Sequence, residues 1–594
     1  MTASGPNAWR IPPWLGYGLA VVAPLILLLN RQVTFLRDWP IHIWIIDHCG
    51  QYFRAHGVLP TVFNVAPAVG IPLPEFYAWL LHPALGVLAA ALGAEAALRL
   101  AIFAMVAIQF SALLGAGRKI FGSTPPAFTV AVSVIWSTYS LTNLYNRGAI
   151  AEYFATGFLA TAVAFGASAA VTPTRSSRWF HGWLAVFFLL LTAAAHPTTA
   201  LLAAIFLVLL GAGLAAGWTW QKPGFTRADA LGLTGAASVG LLILAPWIYV
   251  SAKFGAALSI TQDAFFRFRP DHCDTFWGRF APFPYDAAST LKGLGTDGAP
   301  YLEAPVNVVL LGLLAWNLEL CRRQLARTGT TTVPADSSPV REILMVAVGW
   351  FFFLAAFSLS PALAAKFQFF APFIQYVYRL VSHCNAALLV AVFASGVLVA
   401  RSGGYRRFRH QTNRVLAAGL AVAVIGLGLK LQHADAVAID ADTPLSLEAA
   451  QAELGRAYHV PALVRGLNPD EIRDAVELPF PVGGAGPHFG EASPATVNLG
   501  RAGWVLTNAV AFPWMTLASD SGELRGNQLA RLDCYLAVYL PAGRHEISAV
   551  WRPDPLWLLL HRVSQAVFAL VLVFTAGWVV YFNRPSVRAA DQTP

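Results

Sequence analysis

Long apolar runs recur along this chain and are separated by short polar and basic segments. A helix rises about 1.5 Å per residue, so about 20 apolar residues cross the roughly 30 Å of hydrocarbon in a bilayer. A run at 75–93 is ambiguous. Twelve other runs predict membrane-spanning helices, near 11–30, 97–117, 124–142, 149–171, 179–195, 197–217, 231–251, 304–320, 343–361, 378–400, 414–430 and 563–582.

Composition supports the same class. The chain has 594 residues, of which 57% are hydrophobic and 12% charged, whereas soluble globular domains carry about 25% charged residues. The chain is therefore expected to be a polytopic α-helical membrane protein. Its net charge of +9 does not indicate a nucleic-acid partner, because the basic residues form short clusters between apolar runs, as cytoplasmic loops do.

The 75–93 run decides the topology. If it spans the membrane and the N-terminus is inside, the basic clusters fall outside, against the positive-inside rule. If it lies along the outer face, those clusters and both termini are cytoplasmic, and residues 31–96, 252–303 and 431–555 are external. We adopt the second topology. A competing solution has an external N-terminus and a spanning 75–93 run, which places residues 31–74 in the cytoplasm.

These boundaries divide the chain into three parts: a transmembrane domain at 1–430, an external domain at 431–555, and a final anchor with a cytoplasmic tail at 556–594. The external domain begins with a mixed polar stretch that predicts one or two short helices. It continues with β-rich runs, GWVLTNAVAF and CYLAVYLPAGRHEISAVW, the second interrupted by a Pro-Ala-Gly turn. The pattern predicts a small β-sandwich.

Two acidic residues are candidates for chemistry. Asp38 precedes an amphipathic helix that begins near Pro40, and it either caps that helix or presents a carboxylate at the membrane surface. Glu152 follows Arg147 in NLYNRGAIAEYF, at the start of a span. A carboxylate within a span costs about 2.5–3.5 kcal/mol on insertion scales and usually faces a partner or cavity. The two residues form either a structural ion pair or part of a functional site.

Other polar residues stand at the ends of spans. His196 precedes Pro197, and Gln375 and Arg379 lie in PFIQYVYRLVSHCN. An arginine there suits a phosphate, although interfacial anchoring is the alternative role. The segment DHCD at 271–274 has metal-capable atoms, but adjacent residues rarely converge on one ion, and the five cysteines show no CxxC spacing. The residues therefore indicate no definite metal or cofactor.

Several segments in the same order resemble bacterial GT-C membrane glycosyltransferases and their YfhO-type relatives. RDWPIHIWIIDHCGQYFRAHGVLP carries an acidic residue, Asp38, and a following histidine, His42; PAVGIPLPEFYAWLLHP carries the Gly, Pro, aromatic segment. RGAIAE, AHPTTALL and IQYVYR are similar to later family segments, although Tyr376, Val377 and Tyr378 stand where the family has Phe, Pro and Trp. AFPWMTLASDSGELRG and YLAVYLPAGRHEISAVW resemble the family's terminal β-domain.

The resemblance implies a GT-C fold, an external first loop and a polyprenyl-phosphate-linked sugar donor. The expected reaction is inverting hexosyl or pentosyl transfer to an envelope glycan or lipid at the outer face of the bacterial inner membrane. Asp38 is the expected base, and Arg379, with Arg147 or His196, the expected phosphate-binding group. Glu152 is expected to orient the acceptor or to bind a divalent cation, while His42 and Gln375 join the substrate-binding set. The alternatives are a lipid or polysaccharide transporter and a non-catalytic envelope scaffold.

Overall fold

The structure is a computed structural model, and it describes residues 13–35, 38–65, 68–217, 227–262, 304–328, 338–366, 379–401, 404–436, 439–440, 454–472, 483–485, 494–582 and 584. Two sequence-based candidates, Gln375 and the DHCD segment, lie outside these residues. Most of the predicted second external loop, 252–303, lies outside them as well.

Helices dominate the described chain. The first helix, Pro13–Val22, is followed directly by a 3-10 helix, Ala23–Leu29. The helices of the N-terminal half are α1 Pro13–Val22, α2 Trp39–His56, α3 Leu73–Phe76, α4 Leu81–Leu92, α5 Ala94–Phe121, α6 Thr124–Ile135, α7 Thr138–Leu141, α8 Ile150–Val171, α9 Arg175–Ala195, α10 Pro197–Gly217, α11 Arg227–Phe254 and α12 Ser259–Gln262. Those that follow are α13 Ala304–Thr328, α14 Ser338–Leu359, α15 Pro361–Lys366, α16 Leu380–Arg401, α17 Gly404–Arg407, α18 Arg409–Ala436, α19 Pro469–Ile472 and α20 Pro555–Phe582.

Eight helices in the described residues are long and apolar enough to cross a membrane. Three shorter apolar helices, Pro13–Leu29, Leu81–Leu92 and Pro197–Ala212, accompany them. The polytopic helical class is thus confirmed, whereas the number twelve stays a prediction. The eight are α5, α8, α9, α16, α20 and the segments Thr234–Ala257, Val340–Ser358 and Arg409–Gln432.

The ambiguous run at 75–93 forms two separate helices. Its longer helix, α4, has 12 residues and therefore rises only about 18 Å, short of the roughly 30 Å of hydrocarbon. α4 packs against α2, where Gly86 faces Cys49 so closely that an added Cβ would lie 2.4 Å from the Cys49 Cβ. This geometry agrees with a run that lies in the first loop and does not span.

The predicted β-structure is present in the C-terminal region, and three short strands of the N-terminal region add to it. In the described residues the strands are β1 Val33–Thr34, β2 Phe63–Val65, β3 Ala68–Ile71, β4 Ile439–Asp440, β5 Gly483–Ala485, β6 Ala495–Leu499, β7 Gly503–Val510, β8 Met515–Ser519, β9 Gly522–Glu523, β10 Leu529–Leu532, β11 Tyr535–Leu540 and β12 Gly543–Trp551. One sheet has the order β10-β11-β7-β3-β2, and a second has β5-β12-β8-β9 with β6 also paired to β12. The Pro-Ala-Gly turn thus connects two sheets and does not form a hairpin.

The two sheets share one apolar core. Val505 and Val538 from the first sheet and Leu517, Ile547 and Ala549 from the second are fully buried in it. The same core continues into α2, α11 and α20, through residues such as Ile45, Val250 and Trp557. The sheets are therefore packed directly onto the helical part of the molecule.

Strands from the first loop enter this β-region. β3 runs parallel to β7, with Val69 opposite Ala509, and β1 pairs with β4, with Thr34 opposite Ile439. The sheet therefore extends beyond residues 431–555. Paired strands must lie on one side of a membrane, so the competing topology, which separates residues 31–74 from 431–555, is wrong.

Candidate functional site

Glu152 is the centre of a buried ionic cluster in the first turn of α8. Its Oε1 accepts hydrogen bonds from the Tyr139 hydroxyl at 2.6 Å and from Asn143 Nδ2 at 3.3 Å. Its Oε2 accepts one from Arg147 Nη1 at 3.2 Å and lies 3.6 Å from Arg379 Nε. Glu152 is only 2% exposed. Such burial requires paired charges, and Arg147 and Glu152 do form an ion pair, which is compatible with both interpretations of these residues.

A local irregularity aims Arg147 at Glu152. Residues Thr142–Asn146 form one π-helical turn, closed by a hydrogen bond of 2.9 Å from the Arg147 amide to the Thr142 carbonyl. The turn places Asn143 beside Arg147, whose Nη1 donates to Asn143 Oδ1 at 2.5 Å. π-turns are rare and concentrate at functional sites. Asn143 thus links the arginine to the carboxylate.

Gly148 brings the start of α2 against this cluster. Its φ of +64° lies in the left-handed region, and a Cβ there would lie 2.2 Å from the Trp39 nitrogen. The Asp38 amide donates to the Arg147 carbonyl at 3.1 Å. Two segments far apart in sequence therefore meet at Gly148, and Asp38 lies next to the ionic cluster through its backbone.

Asp38 occupies the N-cap position of α2, but its side chain accepts no capping hydrogen bond. Its φ of −79° and ψ of −12° are helical, whereas a capping residue usually has β-region angles. The side chain is exposed. The capping interpretation of this carboxylate therefore lacks its defining contact, and the surface-carboxylate interpretation remains.

A second cluster contains neutral aromatic groups. The rings of His42 and His82 are joined by a hydrogen bond of 2.8 Å, and each is 2% exposed. Burial, and then the neighbouring His196, lower the pKa of His42 to about 3. Tyr77 lies between the three imidazoles, with ring centroids 6.1 Å from His42, 5.9 Å from His82 and 6.0 Å from His196. We call these four residues the imidazole cluster.

Tyr77 connects the imidazole cluster with the ionic one. Burial raises the pKa of the Tyr77 phenol, the Asp38 charge raises it further, Arg379 lowers it, and Glu152 again raises it. The phenol therefore lies in the electric field of both carboxylates and of Arg379. Among the predicted site residues, the structure brings Arg147, Glu152 and Arg379 into contact and places Asp38, His42 and His196 around them.

Sequence reasoning missed four members of the site: Tyr77, His82, Tyr139 and Asn143. Two signals were available. His82 precedes Pro83, as His196 precedes Pro197, and Asn143 lies four residues before Arg147. His82 could not be identified in this way, because its partner His42 comes from a different segment, and the spacing of Asn143 and Arg147 does not by itself identify a contact.

A small polar cavity is lined in part by Thr156, which lies one helical turn after Glu152 in α8. Its volume is about 30 Å³, and one water needs roughly 10–15 Å³ on this measure, so the cavity holds one or two waters and no sugar ring. Its polar lining residues are Gln109, Ser137, Ser140, Thr156, Ser382 and Asn385.

The described residues contain no group of three or more His, Cys, Asp or Glu side chains arranged to hold a metal ion. No protein-family model, curated protein or solved structure matches this chain. The chemistry that the site can perform therefore follows from its own residues. Two guanidinium groups around one buried carboxylate, next to an exposed carboxylate, can bind an anion beside a base.

Proposed function

We propose that this protein is a membrane glycosyltransferase of GT-C-like architecture. It transfers a sugar from a polyprenyl-phosphate carrier to an envelope glycan or lipid acceptor at the outer face of the bacterial inner membrane. The observation that supports the proposal is that Arg147 and Arg379 both pair with Glu152, while the Asp38 backbone amide contacts the Arg147 carbonyl. A phosphate leaving group and a hydroxyl nucleophile need this combination of cations and base.

The reaction has a simple balance. The acceptor hydroxyl oxygen bonds to the anomeric carbon while the bond from that carbon to the phosphate oxygen breaks, with inversion. The electron pair leaves with the phosphate oxygen, and the hydroxyl proton passes to the Asp38 carboxylate. A positioned base contributes about 10²–10⁴ in rate. Asp38 suits this role because its side chain is exposed and its backbone amide contacts the Arg147 carbonyl.

Arg379 is the proposed phosphate-binding group. Its side chain is 22% exposed, against 10% for Arg147, and a guanidinium has five N–H donors that match phosphate oxygens. The leaving phosphate gains negative charge, which a preorganised cation stabilises without donating a proton. Arg147 is held more deeply by Asn143 and Glu152, so we assign it a supporting role.

Glu152 is better suited to positioning than to proton transfer. Both of its oxygens accept hydrogen bonds from protein donors, and it is 2% exposed. An acceptor hydroxyl would have to displace one of these donors to reach it. We therefore propose that Glu152 orients Arg379 and Arg147, and that Asp38 alone acts as the base.

The paired strands support one location for the whole site. The first loop and the C-terminal sheets share a side of the membrane, and the basic clusters favour the cytoplasm for the opposite loops and both termini. The site is therefore proposed to face the exterior, where envelope acceptors and the sugar carrier are both accessible.

The test is sugar transfer from radiolabelled polyprenyl-phosphate sugar into envelope material by Asp38→Asn. The amide keeps the shape of the side chain but cannot accept the proton, so transfer should fall by about 10²-fold or more while lipid-donor binding persists. Asp47→Asn is the matched control on the same helix, because Asp47 is engaged with Gln51 at 2.6 Å. Wild-type transfer by Asp38→Asn would exclude Asp38 as the base.

A further inference from the structure

The Tyr77 hydroxyl is a hydrogen-bonding group for which the described residues supply no partner. Its ring is enclosed by His42, His82 and His196, yet no hydrogen bond joins its hydroxyl to another described residue. Enclosed tyrosine hydroxyls usually have a partner. Part of the Tyr77 side chain is exposed.

The backbone next to Tyr77 is strained. Ala78 has a φ of +48° and is fully buried. Left-handed angles are unusual for a residue with a Cβ, and such strain concentrates where a fold must hold a functional group in place. The Tyr77 amide donates to the Leu73 carbonyl, and the Ala78 carbonyl accepts from the His82 amide. The turn between α3 and α4 is therefore fixed on both sides of the phenol.

The charges around Tyr77 define the ligand that would use its hydroxyl. Asp38, Arg379 and Glu152 all act on the phenol; burial first, and then the two carboxylates, raise its pKa, so it stays protonated and is a donor. Arg379 would attract an anion to the same place. In the proposed reaction, the atom that gains negative charge is the phosphate oxygen released from the anomeric carbon. A neutral O–H donor beside a cation suits that atom.

We propose that the Tyr77 hydroxyl donates a hydrogen bond to the leaving phosphate oxygen, beside Arg379. This assignment rests on the proposed function and adds a substrate-contacting residue to it. The phenol keeps its proton throughout, and the acceptor's proton still passes to Asp38. The three imidazoles hold the ring so that the hydroxyl is already directed when the phosphate arrives.

The experiment compares Tyr77→Phe with the wild type as full-length protein in lipid nanodiscs. Tyr539→Phe is the matched control. Tyr539 lies in β11, is 43% exposed and packs on Trp504 of β7, so its hydroxyl belongs to the β-region. Three measurements are made: thermal unfolding without ligand, binding of polyprenyl phosphate, and sugar transfer.

Tyr77→Phe should unfold at the wild-type temperature, since the lost hydroxyl has no hydrogen-bond partner among the described residues. Polyprenyl phosphate should bind more weakly by about threefold to tenfold, and kcat should fall by about 10- to 100-fold with the KM for the acceptor unchanged. Tyr539→Phe should match the wild type in all three measurements.

Three outcomes would overturn the assignment. A lower unfolding temperature for ligand-free Tyr77→Phe would show that the hydroxyl has a structural role. Wild-type binding and transfer by Tyr77→Phe would remove Tyr77 from the phosphate site while the proposed function stands. A wild-type protein that neither binds polyprenyl phosphate nor transfers sugar would overturn the proposed function and this assignment together.

Discussion

The ionic cluster around Glu152 and the imidazole cluster around Tyr77 lie side by side but are built on opposite principles. In the first, Tyr139, Asn143 and Arg147 all donate to one buried carboxylate. In the second, neutral rings pack against one another, most of them tilted, and the central phenol makes no hydrogen bond with the described residues. The donors of the ionic cluster bond to its own carboxylate, whereas the imidazole cluster presents the Tyr77 hydroxyl as a donor.

This difference suits the ionic cluster to holding Arg379 in place and the imidazole cluster to contacting the substrate. A buried carboxylate with several fixed donors stays in one arrangement, because losing any donor leaves a charge or dipole uncompensated. It can therefore hold Arg379 in place without reacting. The neutral cluster carries no charge of its own to repel or attract a substrate, so its phenol can respond to the charge that develops during the reaction. The join between the two clusters is Gly148.

Gly148→Ala tests that join and should greatly reduce stability. The added Cβ would lie 2.2 Å from the Trp39 nitrogen and the residue would keep a φ of +64°, so α2 must move away from the π-turn. We expect a loss of about 3–5 kcal/mol in the free energy of unfolding and loss of sugar transfer. The measurement is chemical or thermal unfolding in detergent micelles.

Gly122→Ala separates the close approach from backbone strain. Gly122 caps α5 with a φ of +61°, but nothing lies within 4 Å of an added Cβ, so this variant should lose only about 1 kcal/mol. Equal losses for the two variants would show that the contact with Trp39 contributes nothing, and that the clusters are joined elsewhere.

Glu152→Gln tests the internally satisfied cluster. It leaves the guanidinium groups of Arg147 and Arg379 without their carboxylate at a nearly buried position, and breaking such a buried pair costs about 3–5 kcal/mol. Adding Arg147→Gln should recover part of the loss, since one uncompensated charge is then removed. Unfolding free energies of the single and double variants give the coupling directly.

Glu95→Gln provides the comparison for this prediction. Glu95 forms an ion pair of 2.6 Å with Arg99, but its side chain is 41% exposed, and solvent-screened pairs contribute about 0–1 kcal/mol. If Glu152→Gln loses no more stability than Glu95→Gln, the buried cluster is not a rigid support, and the contrast between the two clusters disappears.

The sequence predicted the helical bundle better than the site. Apolar runs identify spans such as Ala94–Phe121 because burial in lipid requires length and hydrophobicity, both of which are visible locally. The strand Ala68–Ile71 was missed, since it is short, proline-flanked and paired with residues far away in sequence. The π-turn at Thr142–Asn146 reads as an ordinary loop.

Individual site residues divide in the same way. Arg147 and Glu152 were identifiable because charges next to a span are costly and their spacing is short. The contact of Glu152 with Arg379, and that of His42 with His82, depend on packing between elements. A neutral residue such as Tyr77 has no charge whose burial would be costly, so nothing in the sequence marks it. The imidazole cluster could therefore be recognised only in three dimensions.

The neutrality of the imidazole cluster predicts the smallest effect, a specific pH dependence of stability. The pKa of His42 falls from 6.5 to about 3 on folding, first through burial and then through His196. Above pH 6.5 neither state carries the proton, so the shift has no effect on stability. Below pH 6.5, His42 binds a proton in the unfolded chain but stays neutral in the folded protein. The free energy of unfolding therefore decreases as the pH falls toward 3. The decrease is about 1.4 kcal/mol per pH unit, or about 2 kcal/mol between pH 6.5 and 5.

His42→Gln removes this titration while keeping an amide that can bond to His82. The variant should be less stable than the wild type at pH 7.5, because the fit to His82 is poorer, but it should lose less stability between pH 6.5 and 5. The measurement is the free energy of unfolding of both proteins at half-unit pH intervals in the same detergent. Parallel curves would mean that His42 takes up its proton in the folded state; the cluster around Tyr77 would then be charged, and its proposed response to a developing phosphate charge would have to be abandoned.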